Sequence, residues 1–144
     1  MAVDRFVVGV HLILRRREQV LLGLRSGTGW GDGHYNFPAG RLEGAESVTD
    51  CAVREAVEEL GIHVDPQDVV HVHTMHHRHL GEPRIQLFFD IHRWSGEVEN
   101  REPHRCAELG WWPICRLPAP VLPYTQMALA GVAAGEAFST EGWR

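Results

Sequence analysis

The chain has little of what marks secreted, thiolate-rich or membrane-spanning proteins. Its three cysteines, Cys51, Cys106 and Cys115, form no CxxC pair, so a disulfide framework is disfavoured and reduced thiols are expected. The one N-terminal apolar run, residues 6–14, is interrupted by His11 and is too short to cross a bilayer. No targeting segment is recognisable either. We therefore expect a cytoplasmic protein that is not inserted in a membrane.

A positive charge excess and the common phosphate-binding loops are also missing. The net charge is −5 and the pI is near 6.0, which argues against sequence-independent binding of a nucleic acid polymer or an anionic membrane. Gly27, Gly29, Gly31 and Gly33 form a flexible loop that matches neither GxGxxG nor GxxxxGK[ST]. An anionic substrate would therefore need arginines, backbone amides or a metal ion.

The 144 residues suffice for one domain, and no repeat or linker divides them, so we predict a single domain over residues 1–144. Residue patterns predict several strands and two helices that do not alternate strictly as βαβ units, which indicates a mixed α+β fold. Strands are predicted at residues 6–15, 20–25, 35–38, 69–75, 84–94 and 109–112, and helices at 46–60 and 123–134. The tail from residue 136 shows no clear pattern.

An acidic stretch, residues 40–62, carries most of the functional information. It holds six carboxylates against two arginines, and three of them, Glu55, Glu58 and Glu59, lie in the last turns of a predicted helix. Helix C-termini stabilise cations rather than anions, and like charges three or four residues apart repel. At about 100° per residue the three carboxylates project as one fan. Such a fan suits Mg²⁺, which prefers oxygen ligands. The alternative interpretation is an acidic helix surface that is simply exposed to solvent.

The spacing of the stretch decides between these two interpretations. It reads G-x5-E-x7-R-E-x-x-E-E-x-G-I and resembles the signature of the Nudix hydrolases, the MutT-like enzymes that cleave nucleoside diphosphates linked to another group. The fixed positions are Gly40, Glu46, Arg54, Glu55, Glu58, Glu59, Gly61 and Ile62. Ala56 is smaller than the aliphatic residue usual in the family, and Ala39 replaces a common glycine. The segment EPHRCAELGWWP, residues 102–113, resembles a segment of the MutT-like nucleotide-pool branch.

The resemblance implies a Nudix-type α/β/α sandwich, a mixed β-sheet flanked by helices. It also implies that Glu55, Glu58 and Glu59 hold Mg²⁺ or Mn²⁺ with help from the Gly40 carbonyl oxygen. One of these glutamates, or a residue in a later loop such as Glu102, would accept the proton of the attacking water. For Glu102, a surface acid before a proline turn is an equally weighted alternative. Arg54 would orient neighbouring carboxylates with its guanidinium fork, and Glu46 would be a structural partner near the helix start.

The implied function is metal-dependent hydrolysis of a nucleoside triphosphate, oxidised ones included, to a nucleoside monophosphate. A nucleotide sugar or ADP-ribose is the alternative substrate. A non-catalytic sensor or adaptor domain is the alternative class, disfavoured because Glu55, Glu58 and Glu59 are all present. The resemblance also allows a homodimer, although no heptad or long apolar stripe indicates one.

Other residue types give weaker expectations. His71 and His73 are two apart on a predicted strand and should share a face; one or two of the histidines at 71, 73, 76, 77 and 79 should line the substrate cleft. Arg25 and Arg78 are candidates for phosphate contacts, with exposed surface arginines as the favoured alternative. One aromatic among Trp30, Tyr35, Phe88, Phe89, Trp111 and Trp112 is a candidate for stacking on a base. Cys106 has no patterned partners for a nucleophile.

Overall fold

The computed structural model describes residues 2–143. Eight strands and two α-helices follow in this order: β1 Val7–Arg16, β2 Gln19–Arg25, β3 Tyr35–Asn36, β4 Ala39–Arg41, α1 Val48–Leu60, β5 Val70–His79, β6 Glu82–Ile91, β7 Cys106–Pro113, α2 Pro123–Ala133 and β8 Phe138–Glu141. A 3₁₀ turn, Pro66–Asp68, separates α1 from β5. None of the helices within residues 2–143 combines the length and the apolar character that crossing a bilayer requires.

The strands form one mixed sheet in the order β3-β2-β1-β6-β5-β8, with β4 paired to β1 and β7 paired to β2. β1 and β6 run parallel in register from Val7↔Arg84 to Leu14↔Ile91, and β5 and β8 are also parallel. The other strand pairs are antiparallel. The sheet is therefore mixed, as the non-alternating order of elements predicts.

The two helices lie on opposite faces of the sheet. Side chains alternate along a strand, so Leu12 packs with α1 residues on one face while Ile13 packs with α2 residues on the other. Phe89 and Phe88 divide in the same way between the two cores. This arrangement of helix, sheet and helix agrees with the predicted α/β/α layers.

α1 begins two residues after its predicted start and ends where predicted. Ser47 caps its N-terminus by accepting a hydrogen bond from the Asp50 amide at 3.1 Å. Glu46 lies outside the helix, where its carboxylate accepts from the Glu43 amide at 3.0 Å. Gly61 ends the helix in the left-handed region, with φ 68°, as a C-terminal glycine should.

Several boundaries differ from those predicted because backbone pairing, rather than the extent of the apolar pattern, sets where a strand begins and ends. β5 and β6 continue to a tight Leu80-Gly81 turn, and β6 stops at Ile91 rather than at residue 94. β7 begins at Cys106, three residues before its predicted start at residue 109. β8 has no core pattern of its own and pairs with β5 by register, from Thr74↔Phe138 to His77↔Glu141.

The expectation that His71 and His73 share a face is wrong. The register between β5 and β6 shifts between these two residues, and this bulge reverses the alternation. His71 is exposed and lies against Phe89, whereas His73 is buried against Phe88 on the other side.

Candidate functional site

A polar cavity of about 780 Å³ opens beside α1. Its walls come from β4, the last turns of α1, the loop before β7, and the α2-facing side of the sheet. The acidic residues that line it are Glu43, Glu55, Glu58, Glu59 and Glu102. All four predicted carboxylate candidates therefore lie at one cavity, including Glu102 from the distant loop.

Glu55 is the buried member of the fan, with 7% of its surface exposed. α1 approaches the sheet closely because the small side chains of Ala52 and Ala56 are fully buried at the contact. Gly40 of β4 faces the Glu55 carboxyl so closely that a Cβ there would collide with it. Position 40 therefore requires glycine because any side chain there would overlap the Glu55 carboxyl. The residue spacing in the sequence does not reveal this contact.

Arg54 connects the acidic residues through its guanidinium. Nε and Nη2 donate to the two oxygens of Glu46 at 2.9 and 2.8 Å, a bidentate pair. Nη1 donates to Glu55 Oε1 at 2.8 Å and to Glu58 Oε2 at 3.1 Å. Nη2 also donates to the Arg41 carbonyl oxygen at 3.2 Å, which ties α1 to β4. Arg54 therefore fixes both the loop before the helix and two carboxylates of the fan.

The Glu46–Arg54 pair sets the titration of both partners. The hydrogen bonds from Arg54 hold the pKa of Glu46 at about 2, and those with Glu46 raise the pKa of Arg54. The pair lies at the start of the site and does not contact the cavity through Glu46. We therefore expect the Glu46–Arg54 pair to contribute to the stability of the fold rather than to contact a ligand.

The variant Glu46→Gln is expected to flatten the acid limb of the stability profile. A carboxyl with a depressed folded-state pKa stabilises the fold fully above its ordinary value and loses this contribution as the pH falls toward about 2. The free energy of unfolding, measured in urea, should therefore differ more between wild type and variant at about pH 6 than at about pH 3. The exposed Glu97→Gln serves as control, and an equal difference at both pH values would contradict the assignment.

Two carboxylates at the cavity, Glu55 and Glu59, have pKa values shifted in the opposite direction. Burial raises the pKa of Glu55, even though Arg54 opposes the rise. Burial, with repulsion from Glu55 and Glu102, raises the pKa of Glu59 well above its ordinary range. Burial and the neighbouring carboxylates thus disfavour the charged forms of Glu55 and Glu59.

Glu102 is placed by its own loop. Its amide donates to Asn100 Oδ1 at 3.1 Å, and its carbonyl oxygen accepts from the amides of Arg105 and Cys106 at 2.9 Å each. Asn100 Nδ2 in turn donates to the Cys106 carbonyl oxygen at 2.7 Å. The loop therefore turns back at the start of β7 and holds Glu102 at the cavity, half-buried.

The chemistry of the donor set suits a hard divalent cation. Every side-chain donor of the fan is a carboxylate oxygen, the ligand type that Mg²⁺ prefers, and the crowded negative charge is what a cation would relieve. Among residues 2–143, no group of three or more histidine, cysteine, aspartate or glutamate side chains is already arranged to hold a metal ion. Arg54 now occupies Glu55 Oε1 and Glu58 Oε2, so these oxygens would have to turn toward a cation.

A second part of the cavity is lined by residues that the sequence patterns did not single out. His11 and Gln86 join by a hydrogen bond of 2.8 Å between His11 Nε2 and Gln86 Oε1. Asn36 donates to the Tyr124 hydroxyl at 3.0 Å and accepts from the Thr125 hydroxyl at 2.6 Å. The sequence could have indicated two of these residues, because each is a polar residue within an apolar strand: His11 in VVGVHLIL and Gln86 in IQLFF.

The remaining candidates divide between the cavity and the surface. Arg25 and Trp30 lie at the rim, with the Arg25 guanidinium 3.8 Å from the centre of the Trp30 ring, and His79 lines the wall beside them. Arg78 is exposed, 5.8 Å from the Trp143 ring, and does not line the cavity. Cys106 lines the cavity, but burial raises the pKa of its thiol, which does not favour a nucleophile.

The fold and the site define an α+β protein in which a carboxylate-bearing helix borders a polar cavity at a mixed sheet. The model of the NUDIX domain matches residues 5–128, and the chain belongs to the NUDIX family. The predicted family and fold are thereby confirmed.

Solved structures agree over nearly the whole chain. The crystal structure of a MutT NUDIX hydrolase from Burkholderia pseudomallei is 29% identical, with a TM-score of 0.80 over 88% of this chain and 98% of that one. The solution structure of the Escherichia coli ORF135 protein is 25% identical, with a TM-score of 0.75 over 90% of each chain.

Two further relatives align over a smaller share of this chain. The oxidized purine nucleoside triphosphate hydrolase of Mus musculus is 27% identical over 112 residues, 74% of this chain. The 8-oxo-dGDP phosphatase NUDT18 of Homo sapiens is 28% identical over 105 residues, 71% of this chain. This chain spans 66% of the length of the mouse protein and 31% of the human one.

Proposed function

We propose that the protein hydrolyses a diphosphate linkage in a nucleoside triphosphate, oxidised ones included, in a reaction that needs a divalent metal ion. Water attacks a phosphorus atom, one P–O bond of the anhydride breaks, and a nucleoside monophosphate and pyrophosphate are released. The observation that carries this proposal is the crowding of Glu55, Glu59 and Glu102 at one cavity, where burial and mutual repulsion disfavour the charged forms of Glu55 and Glu59.

The metal ion would be Mg²⁺ or Mn²⁺, held by Glu55, Glu58 and Glu59 with the Gly40 carbonyl oxygen. When bound, such an ion lowers the pKa of a water molecule and offsets negative charge on phosphoryl oxygens. The side chains here are all oxygen donors, which favours these hard cations over zinc.

The protein residues have separate tasks in this proposal. Arg54 orients Glu55 and Glu58 through hydrogen bonds from a single nitrogen, Nη1. Glu58, with a side chain 53% exposed, and Glu102, on the facing loop, are the two candidates to accept the proton of the attacking water. The rim arginine Arg25 lies close enough to Glu59 for their charges to interact, which suits a contact with the polyphosphate.

A nucleoside triphosphate is favoured over other substrates for two reasons. The polar cavity of about 780 Å³ continues from the glutamates to the wall of His11, Gln86 and Tyr124, which leaves room for a base. The mouse relative is named as acting on oxidized purine nucleoside triphosphates, and the human relative on 8-oxo-dGDP. A nucleotide sugar or ADP-ribose is the second substrate class, and a non-catalytic sensor or adaptor the second kind of function.

The location and the partners belong to the same proposal. Cys51, Cys106 and Cys115 are all free thiols, which supports a reducing, cytoplasmic compartment. The partner we propose is the small nucleotide substrate rather than a nucleic acid polymer or a membrane. Light scattering would test whether two copies of the chain form a homodimer.

The test is hydrolysis of a panel of nucleoside triphosphates, their 8-oxo forms, nucleotide sugars and ADP-ribose, with Mg²⁺ and with EDTA. We expect release of monophosphate and pyrophosphate from triphosphates, at least a hundredfold faster with Mg²⁺ than with EDTA. Faster turnover of ADP-ribose or of a nucleotide sugar would replace the proposed substrate class. Absence of turnover across the panel would favour the adaptor function.

A further inference from the structure

Arg84 lies at the inner part of the cavity without the partners that a half-buried cation normally has. Only 19% of its side chain is exposed, and the nearest carboxylate, Glu82, is 3.9 Å away and itself 75% exposed. Its Nε has no hydrogen-bond partner within residues 2–143. Burying a charged donor without an acceptor costs free energy, so a ligand that supplies acceptors would be favoured here.

The neighbouring histidines do not supply a negative partner. Burial lowers the pKa of His11 and of His77 to about 4 each, with the Arg84 charge adding to the effect, and it also lowers the pKa of His79. All three imidazoles are therefore neutral near pH 7. The wall around Arg84 is neutral and partly aromatic, since His77 packs 4.8 Å from the Tyr124 ring and His11 stacks 4.6 Å from Phe88.

The Gln86 amide fixes which ring nitrogen of His11 donates and which ring nitrogen of His77 accepts a hydrogen bond. Its carbonyl oxygen accepts from His11 Nε2 at 2.8 Å, and its amide nitrogen donates to His77 Nδ1 at 3.3 Å. His11 therefore keeps its proton on Nε2, and its Nδ1 is an acceptor without a partner among the described residues. A Cβ at Gly9 would collide with the Gln86 carbonyl oxygen, so the space for this arrangement depends on glycine.

We propose that Arg84 determines base specificity by donating to the O6 and N7 acceptors of an unoxidised 6-oxopurine, an inference that rests on the proposed function. In an 8-oxopurine N7 carries a hydrogen, so only O6 of this pair remains as an acceptor for Arg84. Arginine offers two parallel N–H groups that match this acceptor pair, whereas adenine presents an amino donor in place of O6. A neutral, aromatic wall suits a flat base better than a polyphosphate. The polyphosphate would lie at the glutamates, where Gly40 and α1 border the same cavity.

The first experiment compares kcat and KM for GTP, ITP and ATP, which share the triphosphate and differ in the base. Arg84→Met should raise KM for GTP and ITP about tenfold or more and change that for ATP less than threefold, with kcat nearly unchanged. Arg84→Lys keeps the charge without the fork and should recover little of the preference. The exposed Arg78→Met is the matched control and should leave all three substrates unaffected. Equal losses on GTP, ITP and ATP would overturn the proposal, since Arg84 would then contact the phosphates or the sugar.

The second experiment does not depend on turnover. Calorimetric binding of GMP, IMP and AMP to the wild-type protein should favour the two 6-oxopurines about tenfold, and Arg84→Met should remove the preference. Equal affinities in the wild-type protein would overturn the assignment even if triphosphates are hydrolysed. A preference for GMP and IMP without any hydrolysis would support Arg84 as the base-reading residue and reject the proposed reaction.

Discussion

Glu59→Gln is expected to lower kcat for a nucleoside triphosphate by about a hundredfold or more while raising the thermal stability of the metal-free protein. The first effect follows because the substitution removes a proposed metal ligand at the cavity. The second follows from the pKa of Glu59, which burial and the charges of Glu55 and Glu102 raise well above its ordinary range. A carboxyl of this kind destabilises the fold when it is ionised, and the neutral amide removes that cost.

The pH dependence gives the sign of the stability effect. A raised folded-state pKa means that stability is lost as the pH rises above the unfolded-state value, about 4.5. Without metal, the Tm of Glu59→Gln should therefore exceed that of wild type more at about pH 8 than at about pH 4. With Mg²⁺, the wild-type Tm should rise and that of the variant should rise much less.

Glu97→Gln is the control for both measurements, since Glu97 is exposed and outside the cavity. Full activity of Glu59→Gln with an unchanged response to Mg²⁺ would exclude Glu59 as a ligand. A lower Tm for metal-free Glu59→Gln at pH 8 would contradict the proposed electrostatic cost.

Gly40→Ala is expected to reduce kcat about a hundredfold and to destabilise the fold by about 1–3 kcal/mol. The added Cβ would collide with the Glu55 carboxyl, so either the carboxyl rotates away from its place beside Arg54 or β4 moves away from α1. Both changes disturb the oxygen donors near the proposed cation. A methyl group alone would then impair the site as severely as the loss of a charged side chain.

Gly44→Ala provides a matched control because a Cβ at position 44 meets nothing within 4 Å. Activity, urea unfolding and the Mg²⁺-induced rise in Tm should be measured for both variants. Nearly unchanged values for Gly44→Ala with large losses for Gly40→Ala are the expected result. Wild-type behaviour of Gly40→Ala in all three measurements would show that the close approach of Gly40 and Glu55 has no functional role.

The acidic helix could be predicted from the sequence because its signals are local. The helix end before Gly61 and the fan of glutamates both follow from spacing within one helix. Arg54 lies in the same stretch, so its contacts with neighbouring carboxylates also follow from short separations along the chain. Spacing did not reveal why position 40 must be glycine, because the reason is a contact between two elements.

The other half of the cavity could not be predicted in this way. Gln86 meets His11 across 75 residues because β1 and β6 pair in parallel with Gly9 opposite Gln86. Arg84 joins them through the same register, opposite Val7. No local pattern specifies that register. The reversed faces of His71 and His73 depend on a bulge, which period-two alternation cannot anticipate.

Arg54 has a consequence for the order of events after synthesis. Its guanidinium already supplies positive charge to Glu46, Glu55 and Glu58 in the absence of a metal ion. The chain therefore carries an internal counter-ion for these carboxylates. If the proposed divalent ion binds here, folding would not have to wait for it, and the bidentate pair with Glu46 would keep Arg54 in place while Glu55 and Glu58 turned toward the ion.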